Sequence, residues 1–140
     1  MVKYQIEQTN FFWIWKLHIP PKIKNFLLKI CVKGLATKVR LNQSHSWVPI
    51  QCELCNLCAE DAIHLLFECP ILKDILIKAN LCSSSEWEKI IRDTQAMDFG
   101  NAMSFLVKHL KIDRFVLLCF IWWHIWFARN RLLFASEPFP

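Results

Sequence analysis

Apolar residues recur at helical spacing along most of the chain, and nowhere do polar and apolar positions alternate for long. After Pro20-Pro21, the residues Ile23, Phe26, Leu27, Ile30 and Cys31 fall at i, i+3, i+4, i+7 and i+8, the stripe of a helix with one buried face. Pro21 suits a first helical position, and Gly34 suits a stop. Thr37 is placed to cap a short second helix through Val39 and Leu41, with Asn42 to Gln51 as loop. Pro70 opens another helix through Ile71, Leu72, Ile75 and Leu76 to about Ala79. Ser85 and Glu88 read as a capping box for a helix over about 86–94. Gly100 and Asn101 interrupt the pattern before a helix holding Phe105, Leu106 and Leu110. Asp113 can cap the last and longest helix, about 114–134.

That last segment contains the longest apolar run, Phe115 to Ala128, broken only by His124. It is shorter than the roughly 20 residues a membrane span needs, so a buried helix is expected and no membrane association. Phe115, Leu118, Cys119, Trp122 and Trp126 form one stripe, while Leu117, Phe120, Ile121, Ile125 and Phe127 cover the other side. A helix apolar all round exceeds what short neighbours can cover, which predicts a leftover patch at Trp123 and Phe127 rimmed by Arg129 and Arg131. The fold class is therefore mainly α, ending in a long apolar helix. A short strand or hairpin fits only near Trp13 or at the cysteines.

Composition narrows the function. With 140 residues, 54% apolar, 7 Trp and 11 Phe, the chain suits one domain with a core, or a small module with an extension. Two glycines exclude a glycine-rich phosphate loop. The polar N-terminus lacks the apolar stretch of a secretory signal, which predicts an intracellular protein, nuclear or cytoplasmic. Tyr4 is the only tyrosine, so no Tyr-x-Asp-Asp motif exists, and Asp61, Asp74, Asp93, Asp98 and Asp113 are scattered. Polymerases and nucleases cluster carboxylates around two metal ions. No enzyme is expected.

Charge is uneven. Residues 1–50 sum to +7, residues 52–69 to −4, and residues 70–140 to +2. The basic first third points to a polyanion, RNA or single-stranded DNA, with Lys22, Lys24, Lys29, Lys33, Lys38 and Arg40 as phosphate contacts. Trp13 and Trp15 either stack on unpaired bases or pack over the following helix.

The acidic stretch is also the cysteine-rich one. Within "CELCNLCAEDAIHLLFEC" the spacing Cys52-x2-Cys55-x8-His64-x4-Cys69 supplies the mixed donor set that Zn²⁺ accepts in structural sites. Two thiols separated by two residues converge in a turn, and a His and Cys five apart can provide the other two corners of a tetrahedron. Cys55-x2-Cys58 is a second such pair, so Cys58 competes for a ligand position. The acidic, helix-like segment directly after Cys58 favours Cys52 and Cys55. Three thiolates and a neutral imidazole around Zn²⁺ leave −1, so Glu53, Glu60 and Glu68 are expected to face solvent. Glu60 orienting a ligand as a hydrogen-bond acceptor is the alternative.

These segments resemble the zinc-binding domain downstream of the reverse transcriptase in plant non-LTR (LINE-like) retroelement polyproteins. "FFWIWKLHIPPKIKNFLLKI" is similar to its aromatic, Pro and Lys-x-Lys-x-Phe opening through Trp15 to Pro20, Lys22, Lys24 and Phe26. "GLATKVRL" matches its Leu-x-Thr turn through Leu35, Thr37 and Leu41. "CELCNLCAEDAIHLLFECP" matches its metal pattern through Cys52, Cys55, Glu60, His64 and Cys69. The resemblance thus implies Cys52, Cys55, His64 and Cys69 as the ligands, rather than Cys58. The tail "IWWHIWFARNRLLF" is similar to the segment that often leads into a ribonuclease H domain. Two departures are apolar exchanges: Leu27-Leu28 and Leu76 stand where tryptophans are usual. Residues 1–10 are read as a polar tail, 11–80 as the zinc-binding domain, 81–134 as a helical extension and 135–140 as a tail. Reverse transcriptase or ribonuclease H domains are the implied protein partners.

Overall fold

The computed structural model describes residues 12–32 and 34–134. The tails drawn at 1–10 and 135–140, and the candidate phosphate contact Lys33, lie outside the described residues. A 3₁₀ turn, Phe12–Lys16, leads to α1, Pro21–Cys31, then α2, Lys38–Ser44. A non-helical segment and a π turn, His64–Glu68, carry the cysteines into α3, Pro70–Lys78. Three helices follow: α4, Ser84–Thr94; α5, Phe99–His109; and α6, Ile112–Phe134. Strand structure among the described residues is confined to one antiparallel bridge, Gln51 to Ala59, which closes the cysteine turn.

The stripe of α1 is buried in full: Ile23, Phe26, Leu27, Ile30 and Cys31. α1 packs on both α5 and α6. Leu27 and Leu76, at the positions of the missing tryptophans, are both fully buried, so leucine fills the core there. The buried residues form one cluster from Ile14 to Ile125, which crosses residue 80 without a gap.

Caps follow side-chain chemistry. Thr37 accepts the Arg40 N–H and starts α2, which runs on to Ser44 and takes up part of the expected loop. Asp98 accepts from Asn101 N and starts α5, so Gly100 lies inside its first turn and does not interrupt it. The capping box of α4 is Ser83 with Glu86, not Ser85 with Glu88. Both pairs satisfy the four-residue pattern. The earlier one is used because Ser83 is extended, at φ −80° and ψ 165°, while Ser85 already lies in the helix. α6 likewise begins before the expected cap, with Asp113 in its first turn. No described helix is long and apolar enough to cross a membrane.

Candidate metal centre

The first two candidate ligands sit on a tight backbone turn. Cys52 N donates to Cys58 O at 2.8 Å, and Asn56 N donates to Cys52 O at 2.9 Å. Asn56 adopts φ 58°, a left-handed conformation that asparagine tolerates better than most residues. Leu57 N points at Cys55 Sγ, 3.4 Å away. Cys58 contributes its carbonyl to this turn and is itself exposed.

The other two sit at the ends of the π turn. In an α-helix, residues five apart lie about 140° from each other around the axis. The wider turn reduces that offset: Cys69 N donates to His64 O at 2.7 Å, and Pro70 then starts α3. Asp61 fixes the start by accepting the His64 N–H at 2.7 Å. A π turn leaves carbonyls without regular helical partners, and two distant indoles supply them. Trp122 Nε1 of α6 donates to Leu66 O, and Trp87 Nε1 of α4 donates to Phe67 O, each at 2.8 Å. The Phe67 ring is stacked on Trp87 and tilted against Trp122.

Together the two turns place one ligand atom each from Cys52, Cys55, His64 and Cys69 within 4.8 Å of one another. Cys55 Sγ and His64 Nε2 are 3.3 Å apart. Cys52, His64 and Cys69 are buried, and Cys55 is half-buried at the rim. The Cys52 thiol is pulled down to about 4 by its hydrogen bond with the Cys69 thiol, against the opposing effect of burial and with help from the Cys55 and Leu54 backbone. Cys69 is pushed up by holding the proton of that pair and by burial. Such a set fits a metal. Soft sulfur donors converge with an imidazole, the mixed set that suits a tetrahedral site.

Among the acidic residues of this stretch Glu60 is the exception to the expectation, because it does not face solvent. Glu60 is 0% exposed, and so is Arg129 of α6. Arg129 Nε donates to both carboxylate oxygens of Glu60, at 3.1 and 3.0 Å, and its Nη2 pairs closely with Oε1. Nη2 also reaches Ala36 O at 3.2 Å, and the guanidinium lies over the Trp126 ring. Lys38 N donates to Glu60 Oε1 at 2.9 Å, while the Glu60 backbone bonds Ile50 O and Val39 N. One residue thus ties together the start of α2, the cysteine turn and α6. The sequence reading missed this because the partner of Glu60 lies 69 residues away. Arg129 correspondingly leaves the rim of the expected patch and enters the core.

The basic candidates divide. Lys38 is 3% exposed, with Nζ on Gln51 O at 2.8 Å and on Glu53 at 2.6 Å. It is thereby withdrawn from phosphate contact, and Glu53 is its partner. Lys22, Lys29 and Arg40 are exposed; Lys24 is half-buried with its ammonium on Trp15 O. Trp13 packs edge-on against Phe115 with a buried Nε1 that finds no hydrogen-bond partner, whereas Trp15 is 47% exposed. Trp123 is half-buried under the Lys22 ammonium and stacks on the exposed Phe127.

A family described as zinc-binding in reverse transcriptase matches residues 1–75 of the chain. No curated protein and no solved structure shows a significant match.

Proposed function

The chain belongs to the family of zinc-binding domains in reverse transcriptase, and from that premise we propose that it is a non-catalytic module of a plant, LINE-like retroelement enzyme that holds Zn²⁺ and assists nucleic-acid binding. The observation that carries the metal assignment is the convergence of Cys52, Cys55, His64 and Cys69 within 4.8 Å. Zn²⁺ bound there would neutralise the thiolates and cross-link the two turns. Four protein ligands leave no open position for a substrate, so the role in this reading is structural. A single zinc per chain is expected, lost on Cys69→Ser and kept on Cys58→Ser. Equal loss from both would overturn the assignment.

The nucleic-acid role is supported by the basic first third and by the exposure of Lys22, Lys29 and Arg40. RNA or single-stranded DNA should bind with an affinity that falls steeply with salt and depends little on sequence. Lys22→Glu, Lys24→Glu and Lys29→Glu combined should abolish binding while the metal stays. Binding equal to the parent would refute the polyanion reading.

A second reading rests on α6. Leu117, Phe120, Ile121 and His124 line an apolar groove of about 420 Å³ with Ile75 of α3. Docking on a polymerase or ribonuclease H domain through that groove would be insensitive to salt, which separates the two readings in one titration.

A further inference from the structure

The loop after α2 holds an aromatic pair that the core does not use. Trp47 is 80% exposed, and its indole lies parallel to the exposed His45 ring, with centroids 5.9 Å apart and planes 10° apart. At that separation the imidazole borders the indole without covering it, so the indole face is open. Leaving so large an apolar ring in water costs free energy unless something covers it.

The loop that presents this ring is built. Asn42 Nδ2 donates to Ser46 O at 3.2 Å and to Val48 O at 2.8 Å, the two carbonyls that flank Trp47. His45 N donates to Leu41 O, and Val48 N donates to His45 O. Pro49 restricts the exit. The backbone that carries the ring is therefore held in place before any ligand arrives, which lowers the ordering cost of binding.

His45 also lines a cleft of about 550 Å³ together with Arg40, Gln43 and Ser44, over an apolar floor that includes Leu35 and Phe99. Arg40 supplies the cation in the lining of this cleft. Residues 39–51 contain Arg40 and no acid. Of the nearby carboxylates, Glu53 pairs with Lys38 and Glu60 with Arg129, while Asp61 and Asp98 accept the backbone N–H groups of His64 and Asn101. An open aromatic face beside a cation and hydrogen-bonding side chains is the chemistry that recognises one unpaired base and its adjoining phosphate.

We propose that the His45–Trp47 pair and the cleft beside it form a single-stranded nucleic-acid subsite, with a base on the open face of Trp47 and the neighbouring phosphate at Arg40. This rests on the nucleic-acid reading above and places its stacking surface at Trp47 instead of at Trp13 and Trp15.

The test uses the zinc-loaded full chain and fluorescence anisotropy with labelled oligouridine, oligothymidine, a duplex and an abasic oligomer of equal length. Trp47→Ala should weaken binding to both single strands by about 5- to 100-fold, and Trp47→Phe should retain most of it. The abasic oligomer should bind parent and Trp47→Ala alike. Arg40→Gln should reduce the slope of log affinity against log salt by about one. Metal content controls for folding, since both side chains are exposed. If the parent binds while Trp47→Ala and Arg40→Gln leave affinity and slope unchanged, this subsite is wrong and the general nucleic-acid reading stands. An equal loss on the abasic oligomer also removes the stacking role. A parent that binds no single strand, or only duplex, overturns both.

Discussion

The two turns that meet at the metal centre are held in opposite ways. The cysteine turn is supported from within: a bridge between Gln51 and Ala59, the Cys52–Cys58 backbone bond and left-handed Asn56 all lie within a few residues. The π turn is supported from outside, by Trp87 and Trp122, 20 and 56 residues away from the carbonyls they bind. Glu60, between the two turns, relies on Arg129 at greater distance still. Half of the site is therefore a local motif and half is a product of the whole fold. The difference teaches that a short metal pattern does not mark a short folding unit.

The largest effect should come from the ligands, where both kinds of support converge. Cys69→Ser removes a buried donor, and structural zinc is worth about 10–16 kcal/mol in apparent terms. Metal binding should fall to background, and thermal unfolding should lose its metal-dependent rise. Retention of zinc would show that the π turn is dispensable.

Arg129→Ala comes next. It leaves the Glu60 carboxylate buried and unpaired, and a broken pair of this kind costs about 3–5 kcal/mol. Arg129→Met combined with Glu60→Leu should recover most of that loss in urea unfolding. A cost near zero for the single variant would mean that α6 does not support the centre.

The indole bonds give a direct contrast. Trp122→Phe strands Leu66 O and should cost about 1–3 kcal/mol while weakening metal affinity from afar. Asn56→Gly, on the local turn, should be close to neutral because glycine takes positive φ without strain. If Asn56→Gly hurt zinc affinity more than Trp122→Phe, the two kinds of support would have to be exchanged.

The smallest effect is a pH dependence away from the metal. Burial, and secondarily the charge of Asp98, push the Cys31 thiol from 9.0 up to about 12. Its folded value lies above the unfolded one, so its contribution is complete below pH 9 and is lost as pH rises toward 12. Each such thiol should remove about 1.4 kcal/mol by pH 10. Cys119 is shifted the same way by burial. Cys31→Val should flatten the alkaline limb of stability without changing zinc content. An unchanged limb would place the loss at the metal centre instead.

What was legible in the sequence follows the same division. The α1 stripe, the Thr37 cap and the gathering of Cys52, Cys55, His64 and Cys69 are encoded at short spacing, where periodicity and motif reasoning apply. Glu60 and Lys38 were read as surface charges because nothing within a few residues reveals Arg129 or the Gln51 carbonyl. Arg129 was placed on a rim for the same reason: its apolar neighbours are visible in sequence and its carboxylate is not. The choice between Ser83 and Ser85 as a cap was undecidable locally, since both have a glutamate three residues on. The π turn was hidden too, because the fold selects it over an α turn by supplying Trp87 and Trp122.

The Glu60–Arg129 pair has a consequence for the order of events at the ribosome. Glu60 is synthesised 69 residues before its partner. At the usual rate of about 5–20 residues per second, the carboxylate waits roughly 3–14 s before the guanidinium exists. During that interval the cysteine turn can form alone, but the π turn has neither indole from α6 nor the ion pair. Final assembly of the centre is thus timed by the synthesis of α6, which brings both Trp122 and Arg129.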